Sequence, residues 1–335
     1  MKVLFYCATP FALARGGFEI QIEQTRQALL QLGTEVDYVR WFDPKQKGDI
    51  IHHFGRPMPH FLQAAHQRGF KMVVTDLLGA TGARSRVRLA GYKLAGSMAR
   101  RFGFERYFDR MGWGGIDRNA DAVLLNTPWD AKLMRDIFGV AARKVHVLLN
   151  GVSDAYLNAP ARERGPWLVS TAWIGAVKRT LEVAEAAVLA GTPIWVIGRP
   201  REESDPYSER FIRFAREHPD KVRYEGFVPD ERLIQAYREA RGFVLLSKFE
   251  TLSLAAMEAA ACECPLLLTG LPWAQTTFGD KASYCPPGAS VATIAGVLRR
   301  FYDAAPNLPR VPRPPSWLEI ARQLNAIYQS ILKGN

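Results

Sequence analysis

Two glutamates separated by seven residues flank a strand-to-helix turn and could bind a polar ligand. The apolar run at residues 243–246 predicts a buried strand, and the alanine-rich segment from about residue 253 predicts a helix. This spacing places Glu250 at the carboxyl end of the strand and Glu258 in the second turn of the helix. The amides before the helix are those of Thr251, Leu252 and Ser253. Because helix amino termini bind phosphate, the segment predicts a diphosphate site flanked by carboxylates for hydroxyl groups.

The elements that must position these glutamates alternate along the chain. Short β-branched or apolar runs and helical patterns follow one another, as is typical of parallel sheets covered by helices. Residues 2–7 form the first predicted strand and not a secretory signal, because Pro10 interrupts the apolar run. The other predicted strands are residues 36–39, 49–54, 72–75, 122–126, 145–149, 167–171, 194–197, 222–224, 243–246 and 266–268.

The length of 335 residues and the restart of this pattern after residue 166 predict two domains. The expected fold class is α/β, with two Rossmann-like domains, residues 1–155 and 165–305, that face a central cleft. Residues 306–335 are expected to form a proline-rich linker and a terminal helix that packs back toward the first domain. Ser316 and Glu319 have the spacing of a capping box at the start of that helix.

Composition narrows the classes of function. The chain has 44 Lys and Arg and 33 Asp and Glu, a formal net charge of +11, which favours anionic partners. No Asp-x-Asp is present to hold a divalent metal, and no Gly-x-Gly-x-x-Gly follows the first strand, so neither a metal cofactor nor an NAD-dependent enzyme is expected. The four cysteines include no Cys-x-x-Cys, which predicts reduced thiols in a cytoplasmic protein.

Beyond the glutamate pair, several ordered segments resemble glycosyltransferase family 4, the retaining nucleotide-sugar transferases with the two-domain B-type fold. The Glu-seven-Glu spacing and the small-residue helix before Pro265 are similar to the signature of that family. The other similar segments are residues 120–129, 150–152, 221–230 and 316–328. The resemblance therefore extends over nearly the whole chain.

The resemblance implies roles for individual residues. Glu250 matches the acid that contacts donor-sugar hydroxyls, and Glu258 matches the one that holds the nucleotide ribose. Lys178 matches the lysine that neutralises the leaving diphosphate, which is where the rate should come from. Gly16 and Gly17 match an amino-domain loop whose backbone approaches phosphate or acceptor. No cofactor is implied; the donor is a nucleoside-diphosphate sugar, with UDP or GDP expected.

The chain departs from the family pattern at two points. The family usually has Arg five residues before the lysine, where this chain has Trp173, so Arg179 or Arg199 is expected to supply the missing diphosphate contact. Many members also have a His next to an Asp after the fourth strand, whereas this chain has Thr75 and Asp76. His52 and His53 are candidate substitutes for that sugar contact, although strand-end histidines are the simpler interpretation.

Residues 84–118 combine basic and aromatic side chains at helical spacing. Arg84, Arg88, Arg100 and Arg101 suit a helix that lies on an anionic membrane, and an ordinary basic helix face over the domain's own core explains the same pattern. We place these arginines and Asp76 on the acceptor side. No recognition module accompanies the charges, so nucleic acid is not an expected partner.

The resulting hypothesis is a retaining glycosyltransferase with donor domain 165–305 and acceptor domain 1–155. The expected acceptor is a glycan or a lipid-linked sugar in cell-surface polysaccharide or glycolipid synthesis, and the expected location is the cytoplasm or the inner face of the plasma membrane. Two alternatives remain open: a sugar-nucleotide epimerase with the same architecture, and a non-catalytic scaffold that binds membrane or nucleic acid.

Overall fold

The computed structural model describes residues 1–11, 16–104, 115–202 and 204–334. It divides into two compact units. Unit 1 comprises Met1–Gly151 and Pro315–Asn335, and unit 2 comprises Val152–Pro314. The carboxyl-terminal segment therefore belongs to the same unit as the amino-terminal half of the chain.

Each unit contains one parallel sheet of six strands. The strands of unit 1 are β1 (Lys2–Cys7), β2 (Glu35–Tyr38), β3 (Ile50–Phe54), β4 (Lys71–Thr75), β5 (Ala122–Leu125) and β6 (Val145–Val147). Those of unit 2 are β7 (Leu168–Thr171), β8 (Ile194–Ile197), β9 (Val222–Glu225), β10 (Gly242–Leu245), β11 (Leu266–Thr269) and β12 (Ser283–Cys285). The expected α/β class with two Rossmann-like sheets is thus confirmed.

Helices connect the strands, as parallel pairing requires. Among the described residues of unit 1 they are α1 (Gly17–Gln31), α2 (Pro59–Gln67), α3 (Arg86–Arg101), α4 (Ile116–Asn119) and α5 (Pro128–Asp136). Those of unit 2 are α6 (Asp154–Leu157), α7 (Thr180–Ala190), α8 (Pro206–Glu217), α9 (Asp230–Glu239), α10 (Leu254–Ala261), α11 (Pro272–Phe278) and α12 (Val291–Ala304). The last helix, α13 (Trp317–Lys333), returns to unit 1.

The sheet of unit 1 has the order β2-β1-β3-β4-β5-β6. Helix α13 begins at the predicted capping box, in which the Ser316 side chain and the Glu319 carboxylate bond each other's backbone amides, and it packs on α1. The Tyr328 hydroxyl lies 2.5 Å from Nδ1 of His52 on β3. The expectation that the terminal helix packs on the amino-terminal domain is therefore confirmed.

The sheet of unit 2 has the order β12-β11-β10-β7-β8-β9. The strand order reverses between β7 and β10, which are neighbours, so their carboxyl ends form the switch point at which ligands bind in open α/β sheets. Alanines let α7 and α10 lie close to the sheet: Ala184, Ala187, Ala256 and Ala260 are all buried. This close packing holds the loops after β7 and β10 in place.

Candidate active site

The loops that follow β7 and β10 are joined directly to each other. The backbone N–H of Lys248 donates a 2.8 Å hydrogen bond to the carbonyl of Val177. The loop after β10 is also held from its other side, because the Thr269 hydroxyl donates to the carbonyl of Ser247 at 2.9 Å. Residues 177 and 248 are distant in the chain, but the strand order brings them to one edge of the sheet.

This junction places Lys178 against Glu250. The ε-ammonium of Lys178 donates to Oε1 of Glu250, and both side chains are only about one-seventh exposed, 15% and 14%. An ion pair so shielded from solvent is screened less than a surface pair. The two residues that sequence reasoning named as catalytic are thus brought together at the switch point.

Glu258 lies on α10, which begins where expected, with Ser253 as its N-cap. The Ser253 side chain accepts a 3.2 Å hydrogen bond from the N–H of Ala256. The Tyr237 hydroxyl, which lies 2.5 Å from that of Thr171, donates to Oε2 of Glu258 at 3.4 Å.

Burial is the main cause that raises the pKa of Glu258, to about 7, and the negative charge of Asp230 acts in the same direction. A carboxyl group that titrates near neutral pH in this position can accept hydrogen bonds from ligand hydroxyls once it is ionised. Thr251 is half-buried, and Leu252 is buried. Tyr237, which orients Glu258, was not among the predicted site residues.

Arg164 binds the carboxyl-terminal ends of the two helices that carry Tyr237 and Glu258. Its guanidinium donates to the carbonyls of Tyr237 and Ala240 at the end of α9. It also donates to the carbonyls of Cys262 and Glu263 just after α10. One side chain therefore caps the carboxyl-terminal ends of both helices and links them close to Tyr237 and Glu258.

Trp173 lies beside the ion pair. Its ring stands over Gly175, where a Cβ atom would lie 2.0 Å from a ring carbon. The Lys178 ammonium is 6.0 Å from the ring centroid, and the Arg201 guanidinium carbon is 5.7 Å from it. Both cations are within reach of the ring's negative face.

The two arginines expected to replace a diphosphate contact point elsewhere. Arg179 is buried, and its guanidinium donates to the carbonyl of Ala289 and lies 3.9 Å from Glu182. The exposed Arg199 places its guanidinium carbon 5.5 Å from the ring of Phe227. Their assignment as donor-binding residues stays a prediction, and the geometry directs neither toward Lys178.

The candidate residues of unit 1 are distributed over several elements. Gly16 is the N-cap of α1, and Gly17 is its first residue. Asp76 follows β4, is buried and pairs with Arg56 at 3.3 Å; burial raises its pKa to about 6.

The two candidate histidines occupy β3 and are buried. Nε2 of His52 lies 2.7 Å from the Thr75 hydroxyl, and Nδ1 of His53 lies 3.1 Å from the Gly55 carbonyl. Desolvation lowers the pKa of His52 to about 3 and that of His53 to about 4. Both are therefore neutral, and the contacts of His52 are those of a histidine that joins elements of the core.

Helix α3 carries most of the basic segment. Arg88 and Arg101 are exposed, Arg84 stacks on Tyr92 with its guanidinium carbon 4.9 Å from the ring, and Arg100 donates to the carbonyl of Ile137 at 2.9 Å. The rest of the predicted basic-aromatic stretch, residues 105–114, lies outside the described residues.

Within the described ranges, no group of three or more His, Cys, Asp or Glu side chains could hold a metal ion. No helix in the same part of the chain has the length and hydropathy needed to cross a membrane.

The chain is similar in sequence to known glycosyltransferases. Residues 169–303 match the family model described as glycosyl transferases group 1. The chain is 25% identical over 257 residues to D-inositol 3-phosphate glycosyltransferase 1 of Catenulispora acidiphila, covering 67% of this chain and 60% of that protein. It is 32% identical over 100 residues to the O-antigen chain mannosyltransferase B of Escherichia coli, 30% of this chain and 23% of that one. The chain thus matches less than two thirds of the length of these curated relatives.

Solved structures share the architecture at low identity. Sucrose-phosphate synthase from Thermosynechococcus elongatus superposes with a TM-score of 0.71 at 19% identity, over 100% of this chain and 99% of that one. Anabaena HepE in complex with UDP and glucose superposes with a TM-score of 0.67 at 13% identity, over 98% and 99%.

The fold is therefore that of the B-type glycosyltransferases, GT-B. Residues 169–303 are thus similar to the group 1 glycosyltransferases, and the curated relatives that the chain matches are glycosyltransferases.

Proposed function

We propose that the chain transfers a sugar from a nucleoside-diphosphate sugar to an acceptor with retention of configuration at the anomeric carbon. The observation that carries this proposal is the shielded Lys178–Glu250 pair at the switch point of unit 2, with Glu258 on the helix that follows. In this proposal unit 2 binds the donor and unit 1 binds the acceptor. Anabaena HepE, which has the same fold, is seen with UDP and glucose and with UDP-glucose, which supports a UDP-sugar donor.

Each residue of the site has one role in the proposed sugar transfer. As the bond between the anomeric carbon and the diphosphate oxygen breaks, its electron pair goes to the diphosphate, and the Lys178 ammonium stabilises the growing negative charge. The acceptor hydroxyl oxygen forms the new bond to the anomeric carbon, and its proton passes to the departing diphosphate. Glu250 accepts hydrogen bonds from sugar hydroxyls once the donor separates it from Lys178. Glu258 accepts hydrogen bonds from the ribose hydroxyls, and Tyr237 orients its carboxylate.

Titration with nucleotides tests the proposal. We expect UDP or GDP to raise the melting temperature more than ADP does, because a ligand that binds only the folded chain stabilises it by mass action. With a sugar nucleotide, free nucleoside diphosphate should be released in step with glycosylation of an added acceptor. Interconversion of the sugar without an acceptor would favour the epimerase, and failure to bind any nucleotide would favour the non-catalytic scaffold.

We further propose that unit 1 docks on an anionic membrane through the outer face of α3, where a lipid-linked acceptor in glycolipid or polysaccharide synthesis would be presented. Leu89 and Ala99 face the core of the unit, while Val87, Leu94 and Met98 are exposed by 83%, 64% and 52%. These three have the spacing of one helix face, opposite the buried one.

Charge complementarity selects the partner for this exposed stripe. Arg88 and Arg101 flank it and are exposed, and each basic residue close to an anionic bilayer contributes about 1 kcal/mol of attraction. Apolar side chains between basic ones are the pattern of a helix that lies in the membrane interface. A membrane with phosphatidylglycerol or another anionic lipid fits both features.

Vesicle sedimentation tests this docking surface. Wild type should sediment with vesicles that contain phosphatidylglycerol and less with phosphatidylcholine alone, and added salt should weaken the binding. Leu94→Glu with Met98→Glu, or Arg88→Glu with Arg101→Glu, should abolish sedimentation. The matched control is Leu189→Glu, which changes an equally exposed leucine (64%) on α7 of unit 2. Equal sedimentation of all variants would return α3 to the role of a basic helix over its own core.

A further inference from the structure

The loop after β8 runs parallel to the loop that carries Trp173. The N–H of Ala172 donates to the carbonyl of Ile197 at 3.2 Å, and the N–H of Ile174 donates to that of Arg199 at 2.9 Å. This approach needs glycine at Gly198, where φ is +147° and a Cβ would lie 1.8 Å from the carbonyl oxygen of Ala172. The two loops therefore keep the strand register beyond the ends of β7 and β8.

The register decides which side chains share a face. Ile174 is fully buried and bridges Pro200, so Trp173 and Gly175 on one loop share the opposite face with Arg199 and Arg201 on the other. Gly175 has no side chain, and the ring of Trp173 occupies that space. The ring lies 5.7 Å from the guanidinium carbon of Arg201.

The charges at this site indicate that a diphosphate needs a second cation. Lys178 is paired with Glu250, so the pair contributes no net charge to the site, whereas a diphosphate carries several negative charges. We propose that Arg201, held in place by the ring of Trp173, is the second cation that binds the diphosphate of the donor. Trp173 is then a positioning residue, and neither Arg179 nor Arg199 has this task. The inference rests on the proposed function, since it assigns a residue of the same donor site.

Calorimetric titration with UDP, and with GDP if wild type prefers it, tests the assignment. Arg201→Gln should weaken diphosphate binding by about tenfold or more, the usual effect of removing a charged hydrogen-bond donor, and Arg201→Lys should restore part of it. Trp173→Ala should resemble Arg201→Gln, whereas Trp173→Phe should retain most of the affinity. Arg199→Gln tests the other assignment and should weaken binding far less than Arg201→Gln. The matched control is Arg216→Gln, which removes the same charge from an exposed arginine on α8 and should change binding by less than about twofold.

A second readout separates a diphosphate contact from a structural effect. Arg201→Gln should lower the affinity for the nucleoside diphosphate more than the affinity for the corresponding monophosphate. The monophosphate carries fewer negative charges, so it loses less when one cation is removed. Equal losses for both nucleotides, or equal losses for Arg201→Gln and Arg199→Gln, would overturn the assignment of Arg201. A wild-type chain that binds neither nucleoside diphosphate would overturn the proposed function itself.

Discussion

The ammonium of Lys178 and the carboxylate of Glu250 form an ion pair although 72 positions separate them in the chain. We expect Glu250→Gln and Lys178→Ala to reduce turnover by about 100-fold or more while donor affinity changes less, because their contacts strengthen as charge develops at the reacting bond. Steady-state kinetics with varied donor separates kcat from KM.

The exposed pair Arg299–Asp303 on α12 supplies the matched control. Asp303→Asn breaks a surface ion pair of the same unit, and such pairs contribute little to stability. Its turnover should equal that of wild type. A folded Glu250→Gln or Lys178→Ala variant with wild-type kcat would exclude that residue from the reacting centre.

The raised pKa of Glu258, about 7, makes nucleotide affinity depend on pH. The carboxylate is ionised above pH 7 and can accept from two ribose hydroxyls, whereas below pH 7 it is protonated and loses acceptor capacity. Affinity for the nucleoside diphosphate should therefore fall as the pH decreases from 8 to 6. Glu258→Gln should bind the nucleotide more weakly at pH 8. The pH dependence of its affinity should reflect only the titration of the ligand's phosphate, which also contributes in wild type. Parallel pH profiles for the two proteins would contradict the ribose contact.

Metal removal tests whether positive side chains alone stabilise the leaving group. If Lys178 and Arg201 supply that charge, activity should survive an excess of EDTA. The measurement is the initial rate after chelation, with and without added Mg²⁺ or Mn²⁺. Complete loss that either metal restores would show that a cation, and not the side chains alone, neutralises the diphosphate.

His52 gives the core of unit 1 a dependence on pH. Desolvation lowers its pKa from 6.5 to about 3, so the unfolded chain binds a proton below pH 6.5 that the folded chain excludes. The contribution of neutral His52 to the free energy of unfolding is fully present above pH 6.5. It is lost as the pH decreases, by about 2 kcal/mol between pH 7 and pH 5. Hydrogen exchange at β3 and α13 measures this loss.

Variants isolate the contribution of His52 from those of other buried groups. His53 acts in the same direction, while Asp76 and Asp130, whose pKa values are raised by burial, act in the opposite one. His52→Gln should remove about 2 kcal/mol of the pH dependence whatever its stability at pH 7. His66→Gln, which changes an exposed histidine on α2, should leave it intact. An unchanged pH dependence in His52→Gln would refute this account.

Local pattern was enough to predict most of the fold. The predicted strands lie within two residues of their observed bounds, because apolar runs are local signals. Strand β12 was missed, since its three residues are half-exposed except for Cys285 at the sheet edge.

The residues of the candidate site were also predictable only in part from the local sequence. The placement of Glu250 and Glu258 follows from one strand-to-helix turn, which local spacing predicts. Tyr237 and Arg201 reach the site only through the packing of α9 and the register of the β7 and β8 loops, and nothing near them in the chain signals this. Arg199, which the resemblance offered in place of the arginine absent at Trp173, has its guanidinium carbon 5.5 Å from the ring of Phe227.

Because unit 1 is built from Met1–Gly151 and Pro315–Asn335, its core is completed by the last helix of the chain. During synthesis, all of unit 2 leaves the ribosome before Tyr328 can reach His52. Unit 2 is continuous in the chain and can fold while the ribosome is still translating. The first 151 residues cannot complete their core until α13 covers β3, which carries His52. A circular permutant that joins residue 335 to residue 1 and opens the chain at 314/315 would supply α13 first, and it should shorten that wait.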